Sequence, residues 1–164
     1  MTGMDNIILT GFMGSGKSTV AIRLSYKMKM VLEDTDRRIE KEQEQSIGEI
    51  FTRQGEEAFR NMETDCLKSM LEEPEGRILS VGGGIPVREE NRRILKQLGM
   101  VVYLRIRPDT VYERLKDDTT RPLLQGRGQR ERIALLMEER SPHYESLADF
   151  IVDVDEQQME EVLH

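Results

Sequence analysis

The chain has 164 residues, of which 37% are hydrophobic and 34% charged, and its net charge is −7. That length suits one domain with a single sizeable core, and the composition suits a globular fold with a polar surface. The acidic balance argues against a nucleic-acid-binding face. No run approaches the roughly 18 apolar residues of a membrane span, and the N-terminus lacks a signal-peptide pattern, so no membrane partner and a cytoplasmic location are expected.

In chain order, Asn6–Thr10 reads as a buried strand and Lys17–Lys29 as a helix. Met30–Leu32 is a short apolar approach to Asp34-Thr35-Asp36. Helical patterns follow over Arg37–Gln54 and Glu56–Glu73, the second with Phe59, Met62, Cys66 and Met70 at helical spacing, ended by Pro74 and Gly76. Arg77–Val81 reads as a strand running into Gly82-Gly83-Gly84. A helix over Glu89–Leu98 ends at Gly99. Met100–Ile106 is the most strand-like stretch, and Asp109 after Pro108 reads as the cap of a helix over Thr110–Lys116. Residues 117–129 lack apolar periodicity. A helix over Arg130–Glu145 and a strand over Asp149–Val154 close the pattern. Strands alternating with helices predict an α/β fold with a parallel sheet covered on both faces. On such a sheet ligands bind beyond the carboxyl ends of the strands, where the glycine-rich turn at 11–16, Asp34 and Gly82 all fall.

Cys66 is the sole cysteine, which excludes an internal disulfide and a cysteine-based metal cluster. Its helical pattern marks it as small core filler. His143 and His164 are too few and too far apart to suggest a metal site. The methionines are scattered and read as gap-fillers in the core.

Gly11-Phe12-Met13-Gly14-Ser15-Gly16-Lys17-Ser18 matches G-x-x-x-x-G-K-[ST] and stands between a strand and a helix. Backbone N–H groups of such a turn surround a polyphosphate at the positive end of the helix dipole. Lys17 would reach the β- and γ-phosphates, and the hydroxyl of Ser18 would hold Mg²⁺. Asp34 and Asp36, on the same side of an extended chain, supply carboxylates for metal binding and for the attacking hydroxyl; as an isolated feature, the same three residues would cap a helix. Arg60 and Glu63 share one helical face, either as a solvated ion pair or as a clamp for a substrate carboxylate. Three consecutive glycines expose backbone at a strand end, where a small ligand can come close. Arg121-Pro122-Leu123-Leu124 lies in the irregular stretch, which reads as a lid that keeps water from the transferred phosphoryl group. Arg140 falls near the end of a predicted helix, where the dipole alone also favours arginine.

The P-loop, Asp34-Thr35-Asp36, Ile50-Phe51, Gly55-Glu56 with Phe59-Arg60 and Glu63, Gly82–Gly84, Arg121-Pro122-Leu123-Leu124 and Glu139-Arg140 occur in this order. Together they resemble the shikimate kinase family across nearly the whole chain. The resemblance implies a three-layer, nucleoside-monophosphate-kinase-like P-loop kinase fold: one domain over residues 1–164, a five-stranded parallel sheet in the order 2-3-1-4-5 flanked by helices, and a mobile lid at about 117–129. It implies transfer of the γ-phosphate of ATP to the 3-hydroxyl of shikimate in aromatic amino-acid biosynthesis, with Mg²⁺, by a monomer. By position, Gly14, Ser15, Gly16, Lys17, Ser18 and Thr19 would hold the ATP phosphates, Arg114 the adenine (with 153–157 as its other wall), and Lys17 and Arg121 the transferring phosphate. Asp36, Arg60, Arg140 and Gly82, Gly83 and Gly84 would bind shikimate, with the arginines on its carboxylate. Asp36 would act as base or orient the hydroxyl. Ser18 and Asp34 would serve Mg²⁺, Glu63 would support Arg60, and Phe51 and Phe59 would wall the pocket.

The chain departs from the family pattern in three places. Glu33 adds a carboxylate near the metal, Ala21 replaces a frequent glycine, and the C-terminal helix is short. Two other readings compete. A gluconate-type or other P-loop small-molecule kinase would share the donor half of the site. A non-catalytic nucleotide-binding regulatory domain would be expected to lack Lys17, Asp36 or Arg121, all of which are present.

Overall fold

The computed structural model describes residues 5–13, 15–116 and 128–154. Gly14, the Arg121-Pro122-Leu123-Leu124 segment with most of the expected lid, and residues 155–157 of the expected adenine wall lie outside the described residues.

Asn6–Thr10 forms β1, buried along its whole length, as a central strand covered on both faces must be. Lys17–Met28 forms α1 and Val31–Asp34 forms β2. Then come α2 (Thr35–Gln43), α3 (Ile47–Gln54) and α4 (Glu56–Leu71). After β3 (Arg77–Ser80) and a short 3₁₀ turn at Ile85–Val87 lie α5 (Glu89–Leu98) and β4 (Gly99–Arg105). The chain closes with α6 (Pro108–Leu115), α7 (Gln129–Leu147) and β5 (Phe150–Asp153). Among the described residues the strands form one five-stranded sheet in the order β2-β3-β1-β4-β5. Every pair is parallel, with Ile8 opposite Leu79 on one side and Val101 on the other.

Alternation along β1 divides the core. Ile7 and Leu9 point to a cluster with Ala21 of α1, Val111 of α6 and Ile133 and Met137 of α7. Ile8 points to the opposite cluster, with Ile39, Phe59, Cys66, Leu67, Leu79 and Leu95. Leu147, at the other end of α7, joins that second cluster. So α7 crosses from one face of the sheet to the other, and Arg140 and Tyr144 fall on the crossing.

Three local expectations are corrected. The pattern over Arg37–Gln54 is two helices: Glu44 takes the left-handed conformation, and Ser46 and Glu49 form a reciprocal capping box that starts α3. Asp109 is not a cap. α6 begins two residues before the expected Thr110, with Pro108 in its first turn and Arg107 at the N-cap, because proline is preorganised for that position. Arg140 is not near a helix end, since α7 continues through Pro142 to Leu147. The dipole account of Arg140 therefore fails. Cys66 is buried, as its pattern predicts, while the methionines divide: Met30, Met70 and Met137 are core and Met28 and Met100 are exposed.

Candidate active site

The parallel sheet brings the ends of β1, β2 and β3 to one rim. There a cavity of about 220 Å³ is lined by residues 15–19, by Asp34 and Asp36, and by Gly82 and Gly83. That is below the roughly 300–1,000 Å³ of pockets that enclose a whole small ligand. It suits the junction where phosphate passes between two ligands.

The phosphate side is built from backbone. Gly16 adopts φ 87°, a left-handed conformation open to glycine, and starts α1 with no side chain among the described residues capping its N-terminus. The first N–H groups of the helix are thus left for an anion. The Ser15 hydroxyl is buried without a hydrogen-bond partner among the described residues. Lys17 Nζ donates to the Gly11 carbonyl at 2.9 Å, which holds the ammonium over the loop. An uncapped helix end, an orphan hydroxyl and a tethered ammonium fit a polyphosphate. Arg114, in the last turn of α6, is exposed and does not line this cavity.

Asp34 does cap α2: its carboxylate accepts from Arg37 N at 3.2 Å. Asp36 stands in the first turn of that helix rather than on an extended chain. The capping role and the cavity are compatible, since both carboxylates line it. Glu33, on the other side of β2, lies 3.7 Å from Arg77. It joins the Glu73–Arg77–Arg38 ion cluster instead of adding charge to the cavity. Ala21, on the inner face of α1, is fully buried and its methyl joins the core.

The triple glycine is the hub. A Cβ on Gly82 would lie 2.8 Å from Glu63 Oε2 and 3.0 Å from Asp36 Oδ1. On Gly83 it would meet Arg140 Nη1 at 3.3 Å, and on Gly84 it would strike the Arg60 guanidinium. A side chain at Gly82 or Gly84 would displace a carboxylate or a guanidinium, and one at Gly83 would crowd Arg140 and the Gly11 carbonyl. The turn is also pinned. Gly82 N donates to Thr35 Oγ1 at 2.9 Å, and Tyr144 Oη donates to the Gly83 carbonyl at 2.5 Å. Beyond it, Asn91 Nδ2 donates to Ile85 O at 2.9 Å, and Thr64 donates to Asn91 Oδ1 at 2.8 Å. Burial keeps the Tyr144 hydroxyl protonated, pushing its pKa up to about 12.

Arg60 and Glu63 are not a solvated pair. Arg60 Nη1 lies 2.7 Å from Glu63 Oε1, and the Glu63 side chain is 1% exposed. Burial pushes the Glu63 carboxyl up to about 7, against the pull of Arg60 and with help from the nearby Asp36 charge. The Arg60 guanidinium stands 5.3 Å over the Phe59 ring, and Phe59 packs on Phe51 with centroids 5.3 Å apart. Phe59 thus supports the arginine and Phe51 supports Phe59. Arg140 is 4% exposed and sits 5.5 Å over Phe12. Its Nη1 has no hydrogen-bond partner among the described residues, although it is buried. Two guanidinium groups thus reach the glycine turn from α4 and α7, and one presents an unsatisfied donor. A small carboxylate is the ligand such a pair fits.

Thr35 and Tyr144 were not singled out from sequence. Thr35 had a signal, lying between two candidate carboxylates. Tyr144 lies one helical turn after Arg140, on the same face.

Known proteins match this chain throughout. The sequence pattern described as "Shikimate kinase" matches residues 13–164. A shikimate kinase of Thioalkalivibrio sulfidiphilus is 40% identical over 163 residues, covering 99% of this chain and 85% of that one. One of Bacillus cereus is 48% identical over 122 residues, 74% of this chain and 73% of its own. Among solved structures, shikimate kinase from Acinetobacter baumannii in complex with shikimate superposes with a TM-score of 0.92 at 32% identity, covering 98% of this chain and 89% of that one.

Proposed function

Because the chain belongs to the shikimate kinase family, we propose a division of labour among its residues for the reaction that family performs. The enzyme is a kinase that phosphorylates shikimate at the expense of ATP. The terminal phosphorus of ATP gains a bond to the 3-hydroxyl oxygen of shikimate and loses its bond to the bridging oxygen, which leaves with ADP, while the hydroxyl proton is released to solvent.

Residues 14–19 hold the ATP phosphates through backbone N–H groups and the Ser15, Ser18 and Thr19 hydroxyls. Lys17 follows the transferring group. Arg121, from the segment outside the described residues, meets the same charge, and Arg114 packs on adenine. Arg60 and Arg140 bind the shikimate carboxylate, with Glu63 fixing Arg60, while Gly82–Gly84 let the ring lie against bare backbone. Asp36 accepts the hydrogen bond of the 3-hydroxyl and turns its oxygen toward the phosphorus. Ser18 and Asp34 would hold Mg²⁺, whose charge offsets that of the β- and γ-phosphates. The donor set fits this ion. Among the described residues no group of three or more His, Cys, Asp or Glu could hold a metal, and Mg²⁺ in kinases keeps most of its shell as water and phosphate oxygen.

We further propose that residues 1–164 work as one domain, as a cytoplasmic monomer. Every residue assigned above is on one chain, and no helix among the described residues is long and apolar enough to cross a membrane.

The observation that carries this reading is the convergence of Asp36, Glu63, Arg60 and Arg140 on three glycines. Coupled ADP-release assays with shikimate, gluconate and nucleoside monophosphates, run side by side, test it. Release is expected with shikimate. Release with gluconate alone would reassign the acceptor, and none with any acceptor would leave a nucleotide-binding domain without transfer.

A further inference from the structure

The glycine turn has no side chains with which to hold itself, and three glycines in a row lose more conformational freedom on ordering than any other tripeptide. One backbone bond closes it, from Ile85 N to Gly82 O at 3.1 Å, and its further supports come from outside. Two hydroxyls reach it from opposite elements: Thr35 of α2 accepts from Gly82 N at 2.9 Å, and Tyr144 of α7 donates to Gly83 O at 2.5 Å. Both are buried, Thr35 at 0% and Tyr144 at 1% exposure. Each is coupled to a residue of the acceptor pocket. Thr35 precedes Asp36 in the chain, and Tyr144 follows Arg140 by one helical turn.

We propose that Thr35 and Tyr144 are positioning residues that clamp the glycine turn, Thr35 setting it against Asp36 and Tyr144 setting it against Arg140. The proposal deepens the shikimate kinase reading and rests on it for its kinetic consequences. Thr35 governs the approach of the acceptor hydroxyl, so its loss acts on turnover. Tyr144 governs the seat of the carboxylate, so its loss acts on acceptor binding. The ATP phosphates, held by the P-loop, are indifferent to both. Tyr103, whose ring packs against Tyr144 with centroids 5.0 Å apart, restrains the phenol.

Steady-state kinetics of Thr35→Val, Thr35→Ser and Tyr144→Phe test the clamp. Thr35→Val keeps the shape and removes the acceptor; it should lower kcat about tenfold or more, since misplacement by about 1 Å is worth up to about a hundredfold. Thr35→Ser should restore kcat to within about threefold, because the hydroxyl is what matters. Tyr144→Phe should raise the shikimate KM about tenfold with kcat and ATP KM within about twofold. A merely structural loss would lower the active fraction and leave both KM values alone. Unchanged shikimate KM in Tyr144→Phe, or no rescue by Thr35→Ser, overturns the proposal. Amide hydrogen exchange at Gly82 in the unliganded protein reads the Thr35 arm without any substrate: protection should fall in Thr35→Val and return in Thr35→Ser. Exchange behaving this way in a protein inactive toward shikimate would retain the clamp and discard the functional reading. Unchanged exchange in Thr35→Val would discard the clamp whatever the acceptor.

Discussion

Asp36, Glu63, Arg60 and Arg140 bring two carboxylates and two guanidinium groups to one glycine turn, yet they are not equally matched. Arg60 has its partner in Glu63 at 2.7 Å. Arg140 keeps a buried Nη1 without one among the described residues, and an unsatisfied buried donor is costly unless a ligand satisfies it. A hydrogen bond to a charged group is worth about 1.5–3 kcal/mol, or roughly ten- to a hundredfold in affinity. Arg140→Ala should therefore raise the shikimate KM by that factor and leave the ATP KM near its starting value; equal rises would assign Arg140 to the fold. Glu63 has a pH signature. Its carboxyl is raised from 4.5 to about 7, chiefly by burial. Between those values the folded protein binds more protons than the unfolded chain, so this group makes stability fall as pH rises. Denaturant unfolding of Glu63→Gln and the parent at pH 4.5 and pH 7.5 should show the variant gaining relative stability at the higher pH. A pH-independent difference would mean that folding leaves the affinity of Glu63 for its proton unchanged.

Helix boundaries show what the elements contribute. Ser46 and Glu49 satisfy each other's backbone N–H groups and restart the chain as α3 after the left-handed Glu44. Ser46→Ala should cost about 1 kcal/mol, the usual worth of such a cap. Measured by denaturant melts, that loss should come without change in either KM, since Ser46 is exposed and outside the cavity. The break was legible as S-x-x-E, yet apolar spacing over Arg37–Gln54 continues across it, and periodicity alone reads one helix. Pro108 likewise carried the start of α6, and Asp109 only resembled a cap. The end of α7 was not legible. The tertiary packing of Leu147 carries the helix two residues past the expected end at Glu145.

On the scale of the molecule, the sheet separates two apolar clusters and positions the site at one rim. Leu79 lies in the middle of this arrangement, on β3 between β1 and β2, and is fully buried. Leu79→Ala should destabilise the fold by about 2–5 kcal/mol. The variant should keep near-parental KM values at temperatures where circular dichroism shows it folded. A large KM change there would mean that the rim moves with the core.

The sequence by itself determined the donor half. A strand, a glycine-rich turn and a helix are contiguous, so Gly11–Ser18 needs no distant partner to declare its chemistry. It also determined the family, through motifs whose order and spacing are local facts, and hence the strand order and the acceptor. Only the tertiary structure decided which charges are buried. Arg60 and Glu63 at three-residue spacing are the same letters whether solvated or enclosed, and burial comes from α4 packing beneath the glycine turn. Arg140 acquired its meaning because α7 crosses the rim, 56 positions after Gly84. Thr35 and Tyr144 became visible last. A hydroxyl carries no sign of its partner until folding brings a backbone N–H or carbonyl within hydrogen-bond reach.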